Sequence, residues 1–127
     1  MAGLLDARPG VGSGVTPGVI PGVTLDGVFG ALADPTRREL LNTLLQQGPA
    51  SATTLAGPLP ISRQAVVKHL QVLEGARLAQ PARQGREVRW TAQPAPLVDA
   101  AEWLVAAGSA WERRLERLRS AVGRTPE

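Results

Sequence analysis

A chain of 127 residues, 43% of them apolar, has room for one domain with a real core and little beyond it. It has no cysteine and a single histidine, which excludes disulfides, thiolate metal sites and a multi-histidine metal site within one subunit. Fourteen Lys and Arg against eleven Asp and Glu leave a formal charge of +3, and no apolar run approaches membrane-spanning length; the expectation is a cytoplasmic protein with an anionic partner and no membrane association.

Residues 1–23 are rich in Gly and Pro, with Pro-Gly-Val at Pro9, Pro17 and Pro21. Such a stretch has too little apolar surface to offset its ordering entropy and reads as a flexible N-terminal arm. The folded domain is expected over 24–122, with 123–127 as a tail. From Thr24 a short helix presents Val28, Phe29 and Leu32 on one side. Asp34-Pro35 then starts a second helix: Asp is a good N-cap, and Pro at the first helical position has no N–H to waste. Leu40, Leu41, Leu44 and Leu45 form its buried stripe, and Gly48-Pro49 stops it. Ser51 can cap a short third helix through Leu55 and Ala56, and Gly57-Pro58-Leu59-Pro60 reads as a turn.

The helix that follows organises the chain. Ser62 is its N-cap, and at helical spacing Ala65, Val66, His69, Leu70, Val72 and Leu73 share an inward arc. Arg63, Gln64, Val67, Lys68 and Gln71 share the outward one. Two cations, two amides and one small apolar group are what a helix needs in a DNA major groove: cations for phosphate or guanine, Gln for adenine, an apolar contact for the thymine methyl. A solvated helix face is the alternative for this arc taken alone. His69, on the inward arc, is expected to be packed and hydrogen-bonded. A short helix, a turn and this second helix make a helix-turn-helix.

Beyond Gly75 the pattern changes to two short strands, Leu78-Ala79-Gln80 and Glu87-Val88-Arg89-Trp90-Thr91, with Ala82-Arg83-Gln84-Gly85 as the turn between them. Between Ser62 and Trp90 stand Arg63, Lys68, Arg77, Arg83, Arg86 and Arg89 against only Glu74 and Glu87. A basic hairpin right after such a helix is the winged-helix arrangement, with Arg83, Arg86 and Arg89 available for phosphate or the minor groove. After Pro94 and Pro96 a long helix is expected over 97–122. Leu97, Ala101, Leu104, Gly108, Trp111, Leu115, Leu118 and Val122 recur at alternating steps of four and three, a heptad seam. Ala100, Trp103, Ala107 and Ala110 form a second stripe beside it. One stripe can face the domain while the other meets the same helix of a second subunit; the alternative is that both cover the monomer core. The fold class is therefore mainly α, a winged helix with a two-stranded hairpin wing and a long C-terminal dimerisation helix.

Three groups of residues carry a family likeness: Leu32-Ala33-Asp34-Pro35-Thr36-Arg37-Arg38 with Leu40 and Leu44; Ile61-Ser62-Arg63-Gln64-Ala65-Val66-Val67-Lys68-His69-Leu70 with Val72-Leu73; and Arg77-Leu78 with the hairpin through Gly85 and Trp90. On these, from about Leu25 to Val122, the chain resembles the ArsR/SmtB-type winged-helix transcriptional regulators. The resemblance implies a dimeric repressor whose outer helices pair and whose recognition helices sit in successive major grooves. Metal-sensing members carry a Cys pair on the third helix, or Asp, His and Glu ligands on the last. Here the third helix reads Ala52-Thr53-Thr54-Leu55-Ala56, and the last holds Asp99 and Glu102 but no His. The likeness is to a subgroup without a metal site, and these two carboxylates are expected to face solvent beside positive side chains.

The reading is a sequence-specific, homodimeric regulator of double-stranded DNA, a repressor on a pseudo-palindromic operator. Gln64, Val67 and Lys68 would read base edges, with Gln71 on the same face. Arg63 would read bases or hold phosphate, and Ser62 would orient the helix start. Leu97, Ala101, Leu104, Trp111, Leu115 and Leu118 would form the dimer seam. Arg37 and Arg38 are placed either to meet phosphates or to pair with Asp34. A cavity lined by Trp103 or Trp111 could hold an apolar effector, core packing being the other use of those rings. No cofactor is expected, and no activated nucleophile, acid/base pair or phosphate-cradling loop argues for an enzyme. The alternative is a winged helix whose basic face binds an acidic protein.

Overall fold

The first four helices begin where the sequence places a capping side chain. In a computed structural model that describes residues 24–123, Thr24 accepts the Gly27 amide at 2.9 Å and opens α1 (Leu25–Leu32). The expected arm over 1–23, and residues 124–127 of the expected tail, lie outside the described residues. The Asp34 carboxylate accepts the amides of Thr36 and Arg37 at 2.8 and 3.1 Å and opens α2 (Pro35–Gln47), with Pro35 in the first turn. The Ser51 hydroxyl accepts the Thr54 amide at 3.1 Å ahead of α3 (Ala52–Ala56). Ser62 accepts the Ala65 amide at 3.1 Å ahead of α4 (Arg63–Gly75).

The wing is larger than the expected two-stranded hairpin. A third strand, β1 (Ala50–Ser51), joins β2 (Ala79–Gln84) and β3 (Glu87–Ala92) in an antiparallel sheet of order β1-β3-β2. Ala50 pairs with Trp90 and Ser51 with Arg89. Two residues are too few to carry an alternating pattern, so β1 leaves no periodic trace in the sequence. The hairpin turn also lies further on than expected. Ala82, Arg83 and Gln84 belong to β2, and the loop is Gly85-Arg86, with φ +64° at Gly85 alone. A positive φ at the first loop position is what a type II′ turn requires. Pro81 inside β2 is tolerated because β2 is an edge strand of the sheet.

Helix α4 ends at Gly75, where the sequence pattern changes, but Gly75 is not the residue that closes it. Ala76 is its C-cap, and Arg77 takes the left-handed conformation at φ +62°. The amide of Arg77 donates to the Glu74 carbonyl and that of Leu78 to the Leu73 carbonyl, both at 2.9 Å. This is the Schellman pattern, with an Arg where Gly is the usual occupant.

The core gathers Val28 of α1, Leu40 and Leu44 of α2, Leu55 of α3, Val66, Leu70 and Leu73 of α4, and Leu78 and Trp90 of the wing. Two expected core residues lie outside it: Leu45 is 43% exposed and Val72 44%. Each stands at the edge of its helical stripe, where 100° per residue has already turned the side chain toward solvent. The last helix, α5 (Ala95–Gly123), begins two residues earlier than expected, with the Pro94 carbonyl accepting the amides of Leu97 and Val98. Pro96 and Ala100 are buried, Leu97 packs partly on the core, and the Trp103 ring meets Phe29 of α1 edge-on at 5.9 Å. Beyond Ala100 every described residue of α5 except the half-buried Leu115 is exposed, so apart from the edge of Trp103 on Phe29 the monomer leaves both stripes largely uncovered over that stretch. Leu104, Trp111 and Leu118 are each about half exposed, and Ala101 also faces solvent. Among the described residues no helix is long and apolar enough to cross a membrane.

Candidate nucleic-acid interface

The outward face of α4 is a continuous polar surface. Ser62, Arg63, Gln64, Lys68 and Gln71 are exposed and, with Ala65 and Val67, line one shallow open concavity along the helix. Val67 stands less freely than expected: it is half-buried and rests partly on the core. The Arg63 Nε donates to Thr53 Oγ1 at 3.2 Å, which ties the first turn of α4 to the exposed side of α3. A second crevice runs between α3, α4 and the wing, lined by Thr53, Arg63, Val67, Arg86, Val88 and Trp90.

The strand register separates the three wing arginines. Arg83 lies opposite Val88, and Pro81 opposite the buried Trp90, so these four share the face that packs on the domain. Arg89 lies opposite Ala82 on the other face and donates through Nε to Glu87 Oε1 at 3.3 Å. Arg86 occupies the loop and borders the crevice beside α4. By register, then, Arg83 shares the face of Val88 and Trp90, Arg86 borders the crevice beside α4, and Arg89 lies on the opposite face of the strands.

Behind α4, the two arginines that open α2 have a structural task that the sequence left undecided. Arg37 donates from Nε to the Ala31 carbonyl at 2.7 Å and from Nη2 to the Gly30 carbonyl at 3.1 Å. Arg38 donates to the Leu32 carbonyl at 2.7 Å. Together they cap the C-terminal end of α1, where the Gly30 carbonyl also accepts the Ala33 amide at 3.2 Å. Arg37 Nη1 also lies 3.9 Å from Asp34 Oδ2 and 3.5 Å from His69 Nδ1, and His69 is half-buried on the inner side of α4, as expected. The amide of Arg37 above all, then that of Thr36, with the nearby Arg37 charge, hold the Asp34 carboxyl below its ordinary pKa against an opposing desolvation. The signal that could have found this arrangement is the position of two Arg within a few residues of a helix C-terminus. Thr53 had no such signal, because its link to Arg63 depends on the turn that folds α3 against α4.

The carboxylates of α5 differ from each other. Glu102 is exposed, whereas Asp99 is half-buried and its Oδ2 is shielded with no hydrogen-bond partner, contrary to the expected solvent-facing pair. Among the described residues no group of three or more His, Cys, Asp or Glu gathers where a metal ion could be held.

Known proteins share this arrangement. A helix-turn-helix domain family matches residues 32–80. The transcriptional repressor SdpR of Bacillus subtilis is 31% identical over 81 residues, covering 64% of this chain and 89% of the relative. The HTH-type transcriptional regulator Rv2034 of Mycobacterium tuberculosis is 49% identical over 53 residues, 42% of this chain and 49% of that protein. Among solved structures, an ArsR-like transcriptional regulator from Rhodococcus sp. RHA1 superposes with a TM-score of 0.68 at 39% identity, over 80% of this chain and 94% of that one. Fold and surface define a winged helix-turn-helix DNA-binding protein of the transcriptional regulator class. The chain belongs to the ArsR family.

Proposed function

We propose that the protein is a homodimeric repressor that binds a pseudo-palindromic operator and does not respond to metal ions. The observation that carries this reading is the exposed run Ser62, Arg63, Gln64, Lys68 and Gln71 on one side of α4, flanked by Arg83 and Arg86 of the wing. Gln64 and Lys68 read base edges, with Val67 offering a methyl-sized apolar contact. Arg63, already tethered to Thr53, holds phosphate beside its helix start. Arg83 and Arg86 add sequence-independent attachment, and Arg89 contributes least. The apolar side of α5, with Leu104, Trp111 and Leu118 in solvent, supports pairing through that helix, because Trp-bearing faces of this size are seldom left open. A two-fold pair would set its recognition helices about 34 Å apart, one turn of duplex. The repressor sense is supported by the name of the B. subtilis relative. The absence of Cys in the sequence supports metal independence.

The test is selection of duplexes from a random-sequence pool by the full chain, followed by binding at two salt concentrations. A selected, dyad-symmetric duplex bound with a steep salt dependence is expected. Replacement of Gln64 by Ala should lower discrimination between selected and unselected duplexes while leaving unselected binding intact. Equal losses on both would remove Gln64 from the reading set, and no salt-sensitive binding to any duplex would favour an acidic protein partner instead. Added zinc or nickel should leave the affinity unchanged.

A further inference from the structure

Among the described residues, two directional side-chain contacts hold α4 on the rest of the domain. One is Arg63 to Thr53 at its N-terminal turn; the other is Arg37 to His69 near its middle. The remaining contacts of its inner side are apolar, through Val66, Leu70 and Leu73. The hydrophobic effect is itself non-directional, so these two polar contacts add the angular definition that apolar burial does not supply.

We propose that Arg37 is a positioning residue for base recognition, fixing the roll of α4 through His69. The Arg37 side chain is only 18% exposed, and its Nε and Nη2 are both spent on consecutive carbonyls of α1. A planar fork held at two points cannot swing, so its remaining edge is presented to His69 Nδ1 from a fixed place. A guanidinium can only donate, so the contact requires the imidazole lone pair on Nδ1, with the ring proton on Nε2. The charged and titratable groups that meet at this point are Arg37 and Asp34 from α2 and His69 from α4. The fork in turn rests on α1, the helix that also carries Trp103 of α5 through Phe29. Arg37 therefore references the DNA-reading helix to the same platform that bears α5.

Geometry gives the consequence. With side-chain tips about 5–6 Å from the helix axis, a roll of about 10° moves them by about 1 Å. That shift breaks a two-point hydrogen bond to a base edge, whose distance tolerance is only a few tenths of an ångström, and hardly alters attraction to phosphate. Loss of the contact should then cost discrimination and spare general affinity. This inference rests on the base-reading role proposed above for α4.

The test uses the full chain as wild type, His69→Leu, His69→Gln and Arg37→Lys, with a duplex selected by the wild type and an unselected duplex of equal length. His69→Leu should bind the unselected duplex as the wild type does, with the same salt slope, and lose about tenfold or more on the selected one. Gln keeps an acceptor for Arg37, so His69→Gln should recover most of that loss. Lys cannot bridge two carbonyls and an imidazole, so Arg37→Lys should resemble His69→Leu, and the double variant should be no worse than either. Unchanged discrimination in His69→Leu, failure of the Gln rescue, or losses that multiply in the double variant would overturn the proposal. If the wild type selects no preferred duplex, sequence-specific reading fails by itself. Arg37 is then judged by hydrogen exchange of the Val66–Leu73 amides, which must quicken in Arg37→Lys and His69→Leu; unchanged exchange overturns its role.

Discussion

Leu78 and Leu73 are joined twice: the amide of the later residue donates to the carbonyl of the earlier at 2.9 Å, and both side chains are completely buried. The bond closes the C-terminus of α4 around Arg77, which holds φ +62° to allow it. A non-glycine residue in that conformation carries a cost of about 1 kcal/mol, which Gly would not.

Replacing Arg77 by Gly should therefore stabilise the domain by up to about 1 kcal/mol, while Arg77→Val should destabilise it by about 1–2 kcal/mol. Urea unfolding checks both, the midpoint moving in opposite directions with an unchanged slope.

Asp34 should give acid unfolding a recognisable component. Its folded-state pKa is lowered, so the stability it lends is fully present above the unfolded carboxylate value and is lost as pH falls through that value to the folded one. Asn caps a helix comparably and does not titrate. The stability difference between wild type and Asp34→Asn should accordingly shrink as the pH falls below about 4, measured by denaturant midpoints across that range. A difference independent of pH would contradict the assignment.

The two faces of the wing should differ in their effect on DNA. Arg86→Ala should weaken binding to every duplex and lower the salt slope by about one. Arg89→Ala, on the opposite face and already paired with Glu87, should change either quantity much less. Affinities at several salt concentrations decide it.

On α5, Trp111→Glu and Leu118→Glu replace side chains that are about half exposed and lie beyond the part of the helix covered by the domain. The domain should keep its helical content while sedimentation shifts from dimer to monomer. DNA affinity should fall by more than tenfold as the two half-sites become independent, an effect on the order of that seen for other linked binding events. A monomeric wild type would end the pairing argument.

Much of the architecture could be read from caps and periodicity. Thr24, Asp34, Ser51 and Ser62 each begin a helix, because a short polar side chain before an apolar stripe has a local purpose that needs no knowledge of the rest of the fold. The outward set on α4 was legible for the same reason, apart from Val67, whose half-burial depends on a wing that packs from a distant part of the chain. What escaped was non-local or too brief. Two residues make β1, and its existence is decided by Trp90 and Arg89 some forty positions later. The change of pattern after Gly75 does mark the end of α4, but the left-handed residue that closes it, Arg77, was not legible, because glycine is the customary occupant of that place. Arg37 was visible as a cation but its partners were not, since they lie on α1 and α4 and meet only once three helices are assembled.

Ser51 has a double duty: its backbone pairs with Arg89 in the sheet while its hydroxyl caps α3. The wing is thereby riveted to the first helix of the helix-turn-helix at a single residue, and Arg63 rivets the second helix to the first. Sheet, cap and side-chain bond thus join α3, α4 and the wing through neighbouring residues. In the pairing proposed through α5, a signal that released DNA would act by tilting this unit against its twin, so the proposed seam, rather than the wing, is where it would be sought.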